Sequence, residues 1–159
     1  MKRPLVALNG QPLEGQRAFV RVDFNRWLVA ALLIGLLLPA CSGSRPDQIG
    51  VHDGRLAPCP DSPNCVSSLA TDAEHRIDPF RFSGSPEAVL KELKSHLSAL
   101  DRVRIVTLRD RYVYAEFTSA IMRFVDDVEF LYDPDAGLTH VRSASRLGYS
   151  DMGVNRNRI

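Results

Sequence analysis

The spacing of apolar residues changes at Arg102, and this change predicts which elements the chain can form. Before Arg102, apolar residues recur every three or four positions, at Val89, Leu90, Leu93, Leu97 and Leu100. That spacing predicts one apolar face of an amphipathic helix over 86–99. Ser85 is a suitable N-cap for this helix, and Pro86 suits its first position. After Arg102 the period becomes two, which is typical of strands with one buried face.

This alternation predicts four strands, over 103–108, 112–119, 122–132 and 138–146. Short turns connect each strand to the next, so the sheet should be an antiparallel meander of about four strands. With the amphipathic helix packed on one face, the fold class is α+β. Asp151 can cap a C-terminal helix that begins near Gly153, and we expect the domain to continue beyond Ile159.

An uncharged run of fourteen residues, Trp27–Ala40, precedes this domain. A membrane-spanning helix needs about 20 apolar residues, whereas the hydrophobic region of a secretory signal has roughly 7–15. The run ends in Leu38-Pro39-Ala40-Cys41, which resembles a bacterial lipobox with Cys41 as the lipidated residue. A buried core helix is the alternative, and it is less favoured because the chain has no second apolar run of similar size. Residues 1–40 are therefore predicted to be a leader with a lipoprotein signal peptide.

The residues after Cys41 predict how the domain is attached. Residues 41–55 are rich in Ser, Gly, Asp and Pro and lack apolar periodicity, so we expect a flexible tether. Ser42 resembles the second residue of lipoproteins that are sent to the outer membrane. We therefore expect a lipid anchor on the periplasmic side of a bacterial cell envelope, followed by a single α+β domain over 56–159.

Cys59 and Cys65 lie in a proline-rich segment, 56–70, in which we expect no regular element. In an exported protein such a pair most often forms a disulfide, which would constrain a segment that lacks a core. Free thiols and a metal site are the alternatives. Only His52 and His75 lie nearby and neither has ligand spacing, so no metal or other cofactor is predicted.

The acidic pair Asp126-Asp127 interrupts an otherwise apolar strand. Strict alternation places Asp126 on the core face, where an unpaired carboxylate costs several kcal/mol. The expected partners are Arg142, Arg146 and Arg156. Two interpretations stay open: a structural network of ion pairs, which we favour, or a ligand-binding or catalytic site.

Residues 141–158 (VRSASRLGYSDMGVNRNR) are rich in Arg, Ser and Asn at a strand end and a helix start. They could bind an anion through arginine side chains and helix N-terminal amides. The favoured alternative is a hydrogen-bonded corner that fixes the last helix to the sheet. Counting from the turn at 133–137 places the acidic pair opposite 142–146. We therefore predict one polar cluster of Asp126, Asp127, Arg142, Arg146, Asp151, Asn155 and Arg156.

Three separated motifs, PCPDSPNCVSS, FVDDVEF and VRSASRLGYSDMGVNRNR, occur in this order. Together they resemble the family called domain of unknown function 1499, over about 56–159. The resemblance implies a small bacterial lipoprotein or membrane-associated protein with no assigned activity. It also implies a further helix after the NRxR motif.

Composition and motifs limit the function. The net charge of +1 argues against a dedicated nucleic-acid binder. The chain has no Ser-His-Asp order, nucleotide-binding glycine motif or metalloprotease motif. We expect a non-enzymatic binding or structural module that is attached to the membrane and contacts an envelope protein or a small anionic ligand. The alternative is a small enzyme with Asp126 or Asp127 as acid or base and with Arg142 and Arg146 binding an anionic group.

Overall fold

The computed structural model describes residues 43–82 and 84–159. The predicted leader over 1–40 and the predicted lipidation of Cys41 lie outside the described residues. Within the described ranges, no helix is long and apolar enough to cross a bilayer.

One antiparallel sheet dominates the part of the chain that the structure describes. A short hairpin precedes it, formed by two strands of two residues each, β1 (Val51–His52) and β2 (Arg55–Leu56). The sheet contains β3 (Cys65–Ser67), β4 (Phe80–Arg81), β5 (Val103–Arg109), β6 (Tyr112–Thr118), β7 (Val125–Asp133) and β8 (Leu138–Ser145). The helices are α1 (Pro86–Ser98) and α2 (Val154–Arg158). The strand order is β3-β8-β7-β6-β5, and β4 also pairs with β8.

This architecture confirms the α+β fold and the meander of β5 to β8. Helix α1 begins as expected, because the Ser85 side chain accepts a hydrogen bond from the Ala88 amide. The apolar face of α1 packs on one face of the sheet, and this core includes Val89, Leu90, Leu93, Leu97, Val113, Val128, Phe130 and Val141. Burial of such side chains contributes roughly 1.5–3 kcal/mol each.

The start of β7 differs from the sequence prediction. The strand begins at Val125 rather than at residue 122, and Met122 and Phe124 are exposed. A turn takes up the intervening residues: Arg123 has a φ of 59°, and the Phe124 amide donates to the Ser119 hydroxyl. A positive φ ends regular strand geometry, so the apolar residues of this turn cannot continue the alternation.

The second face of the sheet is covered by residues 43–57, which we expected to be mostly a flexible tether. Leu56 packs there with Tyr112, Tyr114 and Leu131. The Gly50 amide donates to the Glu129 carboxylate at 2.8 Å. These contacts correct the tether prediction for the described part of 41–55. Buried carboxylates and tyrosine hydroxyls on this sheet face need hydrogen-bond partners, and the segment covers the face and supplies one of the donors.

The segment 56–70 also differs from the expectation of no regular element. Its C-terminal part forms β3, which pairs with β8 through Val66 opposite Ser143. The prolines of this segment, at 58, 60 and 63, all precede β3 and so leave its backbone amides free to pair. The predicted disulfide between Cys59 and Cys65 is confirmed and fastens the irregular part to β3.

Candidate functional site

The two neighbouring carboxylates of β7 point to opposite faces of the sheet. Asp126 pairs with Ser145 of β8, and Asp127 pairs with Ala144, as the hairpin count predicted. Successive side chains of a strand alternate between faces. Asp126 therefore shares the α1 face with Val128, whereas Asp127 lies on the face that residues 43–57 cover. The prediction of one polar cluster is corrected by this alternation, because the structure divides its members between two faces.

Arg146 is the centre of the polar group on the second face. Its Nη2 atom lies 2.7 Å from Oδ1 of Asp127 and 2.6 Å from Oε1 of Glu116. Its Nε atom donates to Oδ2 of Asp127 at 2.9 Å. The Tyr114 hydroxyl donates to Asp127 at 2.5 Å, and Arg104 reaches Glu116 from the surface at 2.6 Å. We call Arg104, Tyr114, Glu116, Asp127 and Arg146 the Arg146 cluster.

The electrostatics of the Arg146 cluster keep its ion pairs charged. The hydrogen bond to Asp127 raises the pKa of Arg146 above its usual value. Burial favours the neutral form of Glu116, but hydrogen bonds from Arg146 and Arg104 outweigh it and lower the pKa of Glu116. Burial, followed by the hydrogen bond to Asp127, raises the pKa of Tyr114. At neutral pH Arg146 is therefore a cation, Glu116 a carboxylate and Tyr114 a neutral phenol.

A second buried pair lies further along the same face. Arg142 Nη1 is 3.4 Å from Oε2 of Glu129, and both side chains are almost fully buried. The other oxygen of Glu129 accepts from the Tyr112 hydroxyl at 2.7 Å and from the Gly50 amide at 2.8 Å. Glu129 is thus satisfied by three elements, and it joins β6, β8 and the N-terminal segment.

Asp126 belongs to a corner on the α1 face. Its carboxylate forms an ion pair with Arg158 of α2. Arg158 Nη1 also donates to Oδ1 of Asn155 at 2.6 Å and to the Ser143 hydroxyl at 3.0 Å. Arg156, the partner expected from the sequence, instead donates to the backbone carbonyls of residues 74 and 76. The physical reason is helical spacing, since Arg158 lies three positions after Asn155 and shares its face.

Asn155 holds α2 in this corner and is fully buried. Its amide nitrogen donates to the Asn64 carbonyl at 3.1 Å and to the Ser145 hydroxyl at 2.9 Å. Asp151 accepts from the Asn155 and Gly153 amides, at 2.6 and 2.9 Å. The hydrogen-bonded corner that the sequence favoured is therefore the arrangement found for the end of the chain.

The sequence prediction missed several participants, among them Arg104, Tyr112, Tyr114, Glu116, Glu129 and Arg158. Glu116 could have been found from the sequence, since it follows Tyr112 and Tyr114 at intervals of two and so lies on the same face of β6. It also pairs directly with Asp127 of β7. Within residues 43–82 and 84–159, no group of three or more His, Cys, Asp or Glu side chains is arranged to hold a metal ion. The arrangement can tie strands and loops together, because its charges face one another.

These features define a small α+β domain with a disulfide and with buried or partly buried ion pairs on both faces of one sheet. The model of the family described as "Protein of unknown function (DUF1499)" matches residues 55–159. The chain belongs to this family, as the motif resemblance predicted. No curated protein and no solved structure matches it.

Proposed function

We propose that this chain is a lipid-anchored protein of the bacterial cell envelope, with a domain that acts as a non-enzymatic structural or binding module in the periplasm. The observation that carries the second half of this proposal is the closure of the Arg146 cluster. Both oxygens of Asp127 accept hydrogen bonds from Arg146, and the Asp127 side chain is 1% exposed. A general acid or base must reach a proton of its substrate.

The alternative of a small enzyme is weakened at each candidate residue. Asp127 is paired on both oxygens, and Asp126 is engaged by Arg158. Arg142 is buried against Glu129, so its guanidinium is not presented to an anionic ligand. These charges therefore support a role in holding the fold together rather than in proton transfer.

Two observations support export and anchoring. The first is the lipobox-like sequence that ends at Cys41 after an uncharged run. The second is the Cys59–Cys65 disulfide, since disulfides persist mainly in oxidising compartments such as the periplasm. Lipid chains would then supply membrane attachment, and two or more acyl chains are needed for stable anchoring.

The anchoring proposal is tested by metabolic labelling with radioactive palmitate in a bacterial host. The full chain and the control Ser44→Ala should incorporate label and fractionate with membranes. Cys41→Ala should lose the label, because Cys41 is the cysteine at the lipidation position and the other two cysteines, Cys59 and Cys65, are bonded to each other. Equal labelling of Cys41→Ala and the control, or absence of label from both, contradicts the proposal.

The non-enzymatic proposal is tested by Asp127→Asn combined with Arg146→Gln. If the cluster is structural, this double variant should have a lower free energy of unfolding than the native domain. At temperatures where the variant is folded, it should still bind any partner that the native domain retains from envelope extracts. If the native domain chemically modifies that partner and the folded double variant does not, the result would favour the enzyme instead.

A further inference from the structure

Exposed apolar side chains gather at one end of the sheet, on two loops. One loop joins β6 to β7 and carries Ile121, Met122 and Phe124; the other follows β8 and carries Leu147, Tyr149 and Met152. Ile121 is 88% exposed, Tyr149 75% and Met152 94%. We call these six residues the apolar patch. Several large apolar side chains exposed close together mark a surface that contacts another molecule or a membrane.

The two loops form one surface rather than two separate ones. A cavity of about 270 Å³ lies between them, and Phe124, Leu147 and Met152 line its walls. The first loop is closed by hydrogen bonds between Ser119 and Phe124, so Ile121 and Met122 lie at its tip. The two loops therefore meet at this cavity, where Phe124 of the first loop and Leu147 and Met152 of the second border the same space.

The N-terminal segment reaches the same end of the sheet. Gly43 packs against the second loop so closely that an added Cβ would lie 2.9 Å from Cβ of Arg146 and 3.1 Å from Cγ of Leu147. Cys41 is two residues upstream of Gly43, and two residues span at most about 7 Å. A lipid attached to Cys41 would thus begin within about 7 Å of the point where the chain contacts Leu147.

Building on the proposed lipid anchor, we infer that the apolar patch rests in the lipid surface beside Cys41. Apolar side chains of such surfaces enter the headgroup and acyl boundary to a depth of roughly 5–10 Å. Tyrosine is enriched at this boundary because its ring is apolar and its hydroxyl is polar. Arg123 is exposed in the same loop, and a basic side chain near the membrane surface is attracted to anionic headgroups.

The opposite end of the sheet has the character of a surface in water. Arg109 at the end of β5 and Asp110 and Arg111 of the following turn lie there, together with Asp133 at the end of β7 and Asp135 of the turn after it. The lipid-facing orientation therefore buries the apolar end and leaves the charged end in the periplasm. A protein partner on the apolar patch is the competing occupant, but the proximity of Cys41 favours lipid.

Tryptophan placement tests this orientation in the full chain. Trp27 is the only tryptophan of the chain, so Trp27→Phe gives a protein without tryptophan fluorescence, into which single tryptophans can be placed. Ile121→Trp and Met152→Trp then report from the two loops. Val51→Trp is the matched control, because Val51 is also exposed but lies beside the Arg109–Arg111 turn. Each variant is purified from membranes and reconstituted in vesicles of phosphatidylethanolamine and phosphatidylglycerol, with or without brominated acyl chains.

Both loop tryptophans should show blue-shifted emission and lose intensity in brominated vesicles, whereas Val51→Trp should keep its emission. Equal emission from all three positions overturns the inference. Blue-shifted loop emission that bromine does not quench also overturns it, since a second copy or another protein would then cover the patch. Flotation separates the two proposals: a chain that does not float with vesicles contradicts the anchor itself, and a floating chain with unquenched loops contradicts only the orientation.

Discussion

Arg146 and Asp127 join the end of β8 to the middle of the sheet, with Nη2 of the guanidinium 2.7 Å from Oδ1 of the carboxylate. Arg146 is the first residue after β8, and Asp127 pairs with Ala144 two positions earlier. The ion pair therefore lies diagonally across the strands. It fixes the chain at Arg146, immediately before the loop that carries Leu147, Tyr149 and Met152 of the apolar patch. The position of this loop therefore depends on the buried ion pair.

Removal of Arg146 should destabilise the domain strongly. Arg146→Ala leaves Asp127 and part of Glu116 buried without their main partner, which costs about 3–5 kcal/mol for a buried ion pair. The control Arg81→Ala removes an exposed arginine of β4 and should change the free energy of unfolding by less than about 0.5 kcal/mol. Urea unfolding measures both. Equal midpoints for the two variants would show that the cluster contributes no stability.

The pairing of Glu116 predicts a dependence of stability on acid. Its pKa in the folded protein is lowered below the ordinary value of 4.5, by hydrogen bonds from Arg146 and Arg104 that outweigh burial. The stability that it contributes is therefore fully present above about pH 4.5 and is lost as the pH falls through the lower folded pKa. Glu116→Gln should flatten the loss of unfolding free energy below pH 4.5. A variant with the same acid slope as the native protein would contradict this assignment.

The sequence allowed prediction of the elements with long periodic patterns. Helix α1 and strands β5, β6 and β8 were expected within one residue of their ends, because each has enough apolar residues to reveal its period. The strands β1 to β4 have two or three residues each and so display no period. β1 and β2 pair with each other, and β3 and β4 form by pairing with the distant β8, as Val66 pairs with Ser143.

The same limit applies to the polar residues. The turn position gave the correct register for Asp126 and Asp127 opposite 144–145. Proximity along a hairpin does not decide the sheet face, and the alternation of side chains separated these two neighbours. Arg158 was missed since its contact with Asp126 depends on how α2 docks, and this depends on Asn155 rather than on any local pattern.

The disulfide should stabilise the proline-rich segment. Closing a ring between Cys59 and Cys65 removes chain entropy worth about 2 kcal/mol from the unfolded state. Cys59→Ala combined with Cys65→Ala should therefore lower the free energy of unfolding by about that amount. Reductant should lower the stability of the native protein and leave the double variant unchanged. Alkylation of both thiols in unreduced protein, detected by mass, would contradict the bond.

Asn155 offers the sharpest test of the corner that holds α2. It is fully buried and contacts Asn64, Ser143, Ser145 and Asp151. Asn155→Ala leaves several of these groups without partners, and each buried unsatisfied group costs about 1–3 kcal/mol. Asn157→Ala is the matched control, because it makes the same change at an exposed position of the same helix.

We expect Asn155→Ala to lower the melting temperature and to speed hydrogen exchange at the amides of α2 and β3, whereas Asn157→Ala should leave both close to native. The effect should reach β3 since the Asn155 side chain bonds the carbonyl of Asn64, the residue before that strand. Faster exchange confined to α2 would show that the helix frays alone and that the corner does not fasten β3. Unchanged exchange in both variants would show that α2 is held by Arg158 and its pairing with Asp126 instead.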